Sequence, residues 1–134
     1  MTIFALDTNI VSGLLKRDVQ IYRAFMEETD KGNVCIIPPI VYYEIRRGLL
    51  AIDAGNRMKL FKELCLELVV GEMEIAMWNE AARMYANLRK AGNVLEDADL
   101  FIAAFCVIGG YTLVTRNTKH FTRISGLEYV NWMG

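Results

Sequence analysis

Three carboxylates occupy positions where a buried apolar side chain would be expected. Asp7 ends the apolar run IFAL and begins a small polar cluster of Asp7, Thr8 and Asn9. Glu44, in IVYYEIRRG, shares one face of a predicted helix with Ile40, Val41 and Gly48. Asp99, in EDADLFIAA, follows Leu95 by one turn and precedes Ile102 and Ala103 by another. Taken singly, each has an ordinary explanation. Asp at a strand-to-helix turn caps the helix, Asp97 and Asp99 place negative charge in a first helical turn, and Glu44 has Arg46 and Arg47 within reach of an ion pair. Gathered at one end of a sheet, three carboxylates repel one another unless a cation lies between them. No Cys or His adjoins any of the three, so the ligand set is oxygen alone and suits Mg2+ or Mn2+ rather than zinc. Such a site can activate water and neutralise charge on a phosphodiester under attack.

The elements that must position these residues follow from hydrophobic periodicity. Short apolar runs at residues 3–6, 34–37, 68–70, 112–115 and 128–132 predict strands. Between them, helical spacing predicts helices over residues 8–16, 18–28, 40–51, 56–66, 75–90 and 97–108. In the fifth helix Ile75, Ala82, Tyr85 and Leu88 are read as the inward side, with Trp78 and Tyr85 assigned to core or dimer packing; the sixth is apolar nearly all round. Strands alternating with helices predict an α/β fold, a parallel sheet of four to five strands flanked by helices in a three-layer, Rossmann-like arrangement. In such sheets ligands gather at the carboxyl ends of the strands, near the point where strand order reverses. Asp7 stands at one such end, Thr115-Arg116-Asn117 at another, and Pro38 follows a third.

Composition limits the alternatives. A chain of 134 residues favours one domain spanning 1–134. An apolar fraction of 54% leaves hydrophobic surface for a second copy or another partner, so a homodimer is expected. The formal net charge of −1 gives no global nucleic-acid signal, and any polyanion must meet a local basic patch. Cys35, Cys65 and Cys106 are widely spaced among apolar neighbours and read as reduced core thiols of a cytoplasmic protein. The longest apolar run is too short to cross a bilayer, so no membrane association is expected.

Four blocks, LDTNIVSGLL at 6–15, PPIVYYEIRRGL at 38–49, DADLFIAA at 97–104 and TLVTRNTKHF at 112–121, together with the closing GLEYVNW, resemble the motifs of PIN-domain ribonucleases in order and spacing. Within that family the chain is most similar to the VapC-like toxins of type II toxin–antitoxin pairs. The resemblance covers nearly the whole chain. It implies metal-dependent endonucleolytic cleavage of RNA by water, giving a 3′-hydroxyl and a 5′-phosphate. It also implies a homodimer and a VapB-like antitoxin lying across residues 8–28 and 40–65.

Carried over position by position, the resemblance makes Asp7, Glu44 and Asp99 the metal-binding and catalytic acids, with Asn117 completing the site. Asn9 and Thr8 support Asp7, and the Thr115 hydroxyl orients it. The Asp directly before an apolar stretch ending in Ala-Ala is Asp99, which leaves Asp97, in competition with Glu96, as the helix cap. Asn117 stands where many relatives carry Asp, which lowers the site's charge to three negatives. Arg46, Arg47, Arg116 and Lys119 are candidate phosphate contacts, each equally readable as ordinary surface charge. His120, the one histidine, is not needed as a base where a metal activates water. A dehalogenase-type phosphatase would want a second Asp where Asn9 stands. The remaining alternative is a catalytically silent PIN-fold module that binds RNA or protein.

Overall fold

The structure, a computed structural model, describes residues 1–133. Five parallel strands form one sheet in the order β3-β2-β1-β4-β5, with β1 at Ile3–Leu6, β2 at Val34–Ile37, β3 at Val69–Val70, β4 at Thr112–Val114 and β5 at Tyr129–Val130. The central strand β1 therefore separates a half wound outward through β2 and β3 from a half wound through β4 and β5. Strand order reverses beside β1, and the carboxyl end of β1 is the switch point of the fold. The three inner strands β2, β1 and β4 are short and mostly buried on both faces, as parallel strands under helical layers must be, while the edge strands β3 and β5 are partly exposed.

Among the described residues seven helices cover the sheet: α1 at Thr8–Leu15, α2 at Val19–Asp30, α3 at Pro39–Ala51, α4 at Gly55–Glu67, α5 at Ile75–Lys90, α6 at Asp97–Gly109 and α7 at Thr118–Phe121. Helix α1 packs on α2, α3 and α4, while α6 packs on α5, α3, α7 and β4. As its composition requires, α6 is buried nearly all round, with Leu100, Ile102, Ala103, Ala104, Phe105 and Cys106 in the core. Gly110 ends it at φ +75, a left-handed backbone that suits glycine. Pro39 begins α3, where its missing N–H is unpaired in any helix.

Three local expectations need correction. In α5 the inward residues are Met77, Ala81, Met84 and Leu88, whereas Ile75 is 74% exposed, Ala82 and Tyr85 are exposed as well, and Trp78 is part-exposed with its ring against Phe101 of α6. Two apolar stripes at helical spacing run along this helix, and periodicity could not choose between them. The cap of α6 is not Asp97: Glu96 takes the N-cap position and Asp97 the first helical turn, and no side chain accepts a capping bond. The single-turn helix α7 was not expected, because four residues are too few to show a period. Among the thiols, Cys35 and Cys106 are buried and Cys65 half-buried, all free. Burial pushes the Cys35 thiol up to about 12 and the Cys106 thiol higher still, which keeps both protonated.

Candidate active site

The register of the two central strands builds the first half of the site. Leu6 pairs with Val114, so the next residues, Asp7 and Thr115, emerge side by side at the carboxyl end of the sheet. Their backbones are held there, Asp7 N–H donating to Val114 O at 2.9 Å and Thr115 N–H to Val130 O at 3.0 Å. The two side chains are the buried polar groups among the described residues. The Thr115 hydroxyl donates to Asp7 Oδ2 at 2.7 Å and accepts the Asn117 N–H at 3.0 Å. Asp7 is also the N-cap of α1, with Oδ1 accepting the Thr8 N–H at 2.7 Å. Asn9 ties the two strand ends together: its Oδ1 accepts the Arg116 N–H at 3.1 Å, and its amide nitrogen lies 3.5 Å from Asp7 Oδ2.

The other two carboxylates approach on helices. Thr8 Oγ1 donates to Glu44 Oε1 at 2.9 Å, which couples α3 to the first residue of α1. Arg47 lies 3.9 Å from Glu44 Oε2 and over the Tyr43 ring at 5.1 Å, so this guanidinium is partly engaged. Asp99 enters from the first turn of α6, and its Oδ2 lies 3.2 Å from His120 Nδ1. Burial, and then the charge of Asp7, hold the Asp99 carboxyl above its ordinary value, with His120 pulling in the opposite direction. Sequence reasoning missed this His120 contact. The available signal was the three-residue step from Asn117 to His120, one turn of a helix too short to recognise.

Among the described residues, no three His, Cys, Asp or Glu side chains converge as a ready-made metal cage. Asp99 senses the charge of Asp7, while Glu44 stands one hydroxyl away from Thr8. That donor set still fits Mg2+, which keeps several waters and takes one or two carboxylates rather than a full protein cage. The Asp99 carboxyl is raised first by its burial and then by the charge of Asp7, and a cation between the two would offset the second effect.

The sequence matches the PIN domain family over residues 4–127. The chain belongs to the PIN domain family. Among curated PIN-type relatives, VapC ribonuclease Y4jK of Sinorhizobium fredii is 32% identical over 136 residues, 94% of this chain and 94% of that protein. Ribonuclease VapC1 of Methanocaldococcus jannaschii is 34% identical over 99 residues, 74% of this chain and 68% of that one. The solved VapBC2 of Rickettsia felis, bound to a DNA fragment from its promoter, superposes with a TM-score of 0.88 at 27% identity, covering 98% of this chain and 99% of that chain. The PIN-domain sheet with its flanking helices thus agrees with the architecture expected from periodicity.

The remaining candidates divide by location. Asn117 starts α7 with its side chain exposed and capping nothing. Arg116 and Lys119 are exposed beside it. Arg46 instead lines a separate hollow with Tyr42, Phe61 and Lys62 on the other side of α3, so it does not join the acidic group. Asp97 is exposed and stands apart from the bonded network around Asp7.

Proposed function

We propose that this PIN domain is a metal-dependent endoribonuclease, a single-domain toxin of a type II toxin–antitoxin pair acting in the cytoplasm. The observation that carries the reading is the pair of carboxylates at the switch point, Asp7 anchored by Thr8 and Thr115 and Asp99 half-buried within reach of its charge. The names of its relatives, ribonucleases of the VapC type, support the same substrate.

Asp7 and Asp99 would hold Mg2+ or Mn2+, with Glu44 and Asn117 completing the site around the attacking water. The ion supplies a more acidic water and positive charge for the phosphate. Thr115 and the Thr8 N–H fix both oxygens of Asp7, so the carboxylate does not have to reorganise when substrate enters. Thr8 sets Glu44, and Asn9 locks the Arg116 backbone beside the acids. Arg116 and Lys119 are placed to meet phosphates on that side, and their exposed side chains cost little to recruit.

A VapB-like antitoxin has a fitting surface in a groove of about 460 Å3 between α1, α2 and α4, lined by Leu14, Tyr22, Phe25, Met26 and Leu64. It lies within the segments where the family resemblance places the antitoxin. The outward stripe of Ile75, Trp78 and Tyr85 on α5 supports a homodimer.

The decisive experiment is cleavage of labelled total RNA by antitoxin-free protein with Mg2+, Mn2+ or EDTA, comparing wild type with Asp7→Asn and Asp99→Asn. Cleavage that requires the ion and is lost in both variants is expected. Folded wild-type protein that leaves RNA intact with either ion would overturn the nuclease in favour of a silent binding module.

A further inference from the structure

Beside the acids, a groove of about 290 Å3 runs between α1 and α3 toward the start of α4. Thr8 and Glu44 form one end, joined by their hydrogen bond, so the groove is continuous with the acidic site. Lys16 and Arg57 line it as well, and neither is among the ion pairs of the described residues. Between these ends the walls are Ser12, Gly48 and an apolar floor that includes Leu15 and Ile45.

Two features of this groove are costly to the folded chain and have no internal explanation. Gly48 lies inside α3, three residues before its end, where glycine is less favourable than alanine. A Cβ built on Gly48 meets nothing within 4 Å, so no packing against the protein requires the glycine. Arg57 places a positive charge in the first turn of α4, the helix end whose dipole already favours anions. No side chain caps that end.

We propose that this groove binds the nucleotide of single-stranded RNA next to the scissile phosphate, the base lying on the apolar floor against Gly48 and the following phosphate meeting Lys16 and Arg57. The proposal rests on the ribonuclease reading and adds a subsite whose two cations, Lys16 and Arg57, lie outside the motif blocks. Gly48 lets the base come close to the α3 backbone, and the cations take up the negative charge that the acidic end repels.

The test is fluorescence anisotropy with a labelled single-stranded RNA pool in EDTA, where binding is read without cleavage, across a salt series. Lys16→Gln and Arg57→Gln should each weaken binding about fivefold and reduce the salt slope by about 0.7, the loss of one phosphate contact on a single strand. Gly48→Ala should raise the melting temperature while weakening binding, and Gly48→Leu should weaken it more, by about tenfold. Unchanged affinity and slope in all four variants would overturn the subsite. Cleavage with Mg2+ is measured in parallel. Wild-type cleavage with unaltered binding in the variants leaves the nuclease and removes the groove, whereas binding losses without wild-type cleavage keep the groove and remove the nuclease.

Discussion

The two sides of the acidic site are built differently. On the strand side, Asp7 is buried and both its oxygens are engaged, by the Thr8 N–H and by the Thr115 hydroxyl, which in turn accepts from Asn117. On the helix side, Glu44 and Asp99 keep roughly a fifth of their side-chain surface exposed, and each has contacts only at its edge, to Thr8 and Arg47 or to His120. The strand side is fixed by sheet register and cannot move without breaking the core. The helix side can adjust to an ion or a phosphate. A hydrolytic site needs both, one ligand that is preorganised and others that complete the coordination when substrate arrives.

If that division is right, removing the fixed side should damage the fold and removing the adjustable side should not. Asp7→Ala takes away the α1 cap and the acceptor of the Thr115 hydroxyl, and should lower stability by roughly 2–4 kcal/mol in EDTA. Urea unfolding would show it. Thr115→Val strands Asp7 Oδ2 and the Asn117 N–H, so a loss of about 1–3 kcal/mol is expected, with cleavage reduced about 10- to 100-fold and Thr115→Ser recovering most of both. A Val variant as active as wild type would mean that the hydroxyl does not orient Asp7.

Asp99 should respond with the opposite sign. Its folded value lies above the ordinary 3.8, so its protonated form favours the native state. That contribution is complete below the unfolded value and is lost as pH rises through the folded one. Ion-free wild type should therefore lose stability relative to Asp99→Asn as pH climbs from about 4 toward neutrality, with the gap levelling off above the folded value. Unfolding curves at several pH values measure it, and parallel curves for the two proteins would refute the crowding. Saturating Mg2+ should close the gap, since an ion at a hundred times its dissociation constant stabilises wild type by about 2.7 kcal/mol. The smallest effect belongs to Asp97→Asn, an exposed first-turn charge on α6 worth about 0.3–1 kcal/mol and no change in RNA cleavage.

Much of this was legible before the structure. Val34–Ile37 and Ile75–Lys90 follow directly from apolar runs and punctuation by proline and glycine. The inward face of α5 was not legible, because its apolar residues fall on two stripes and only contact with α6 selects one. The cap expected at Asp97 failed because a helix start is decided by backbone direction, and Glu96 already occupied the turn.

By itself, the sequence determined which residue types could do chemistry, since four motif blocks in order carry Asp7, Glu44, Asp99 and Asn117 whatever the packing. It also determined that the sheet is parallel, because buried apolar strands separated by amphipathic helices have few other ways to cover both faces. Only the tertiary structure decided how those residues relate. The pairing of Leu6 with Val114 sets Thr115 against Asp7 across 108 positions of chain, a distance at which local patterns carry no information. The same holds for the Asp99–His120 contact, for Glu44 reached through Thr8, and for the groove that brings Lys16, Gly48 and Arg57 together. Each depends on how helices settle on the sheet, and that is fixed by the whole core at once rather than by any segment of it.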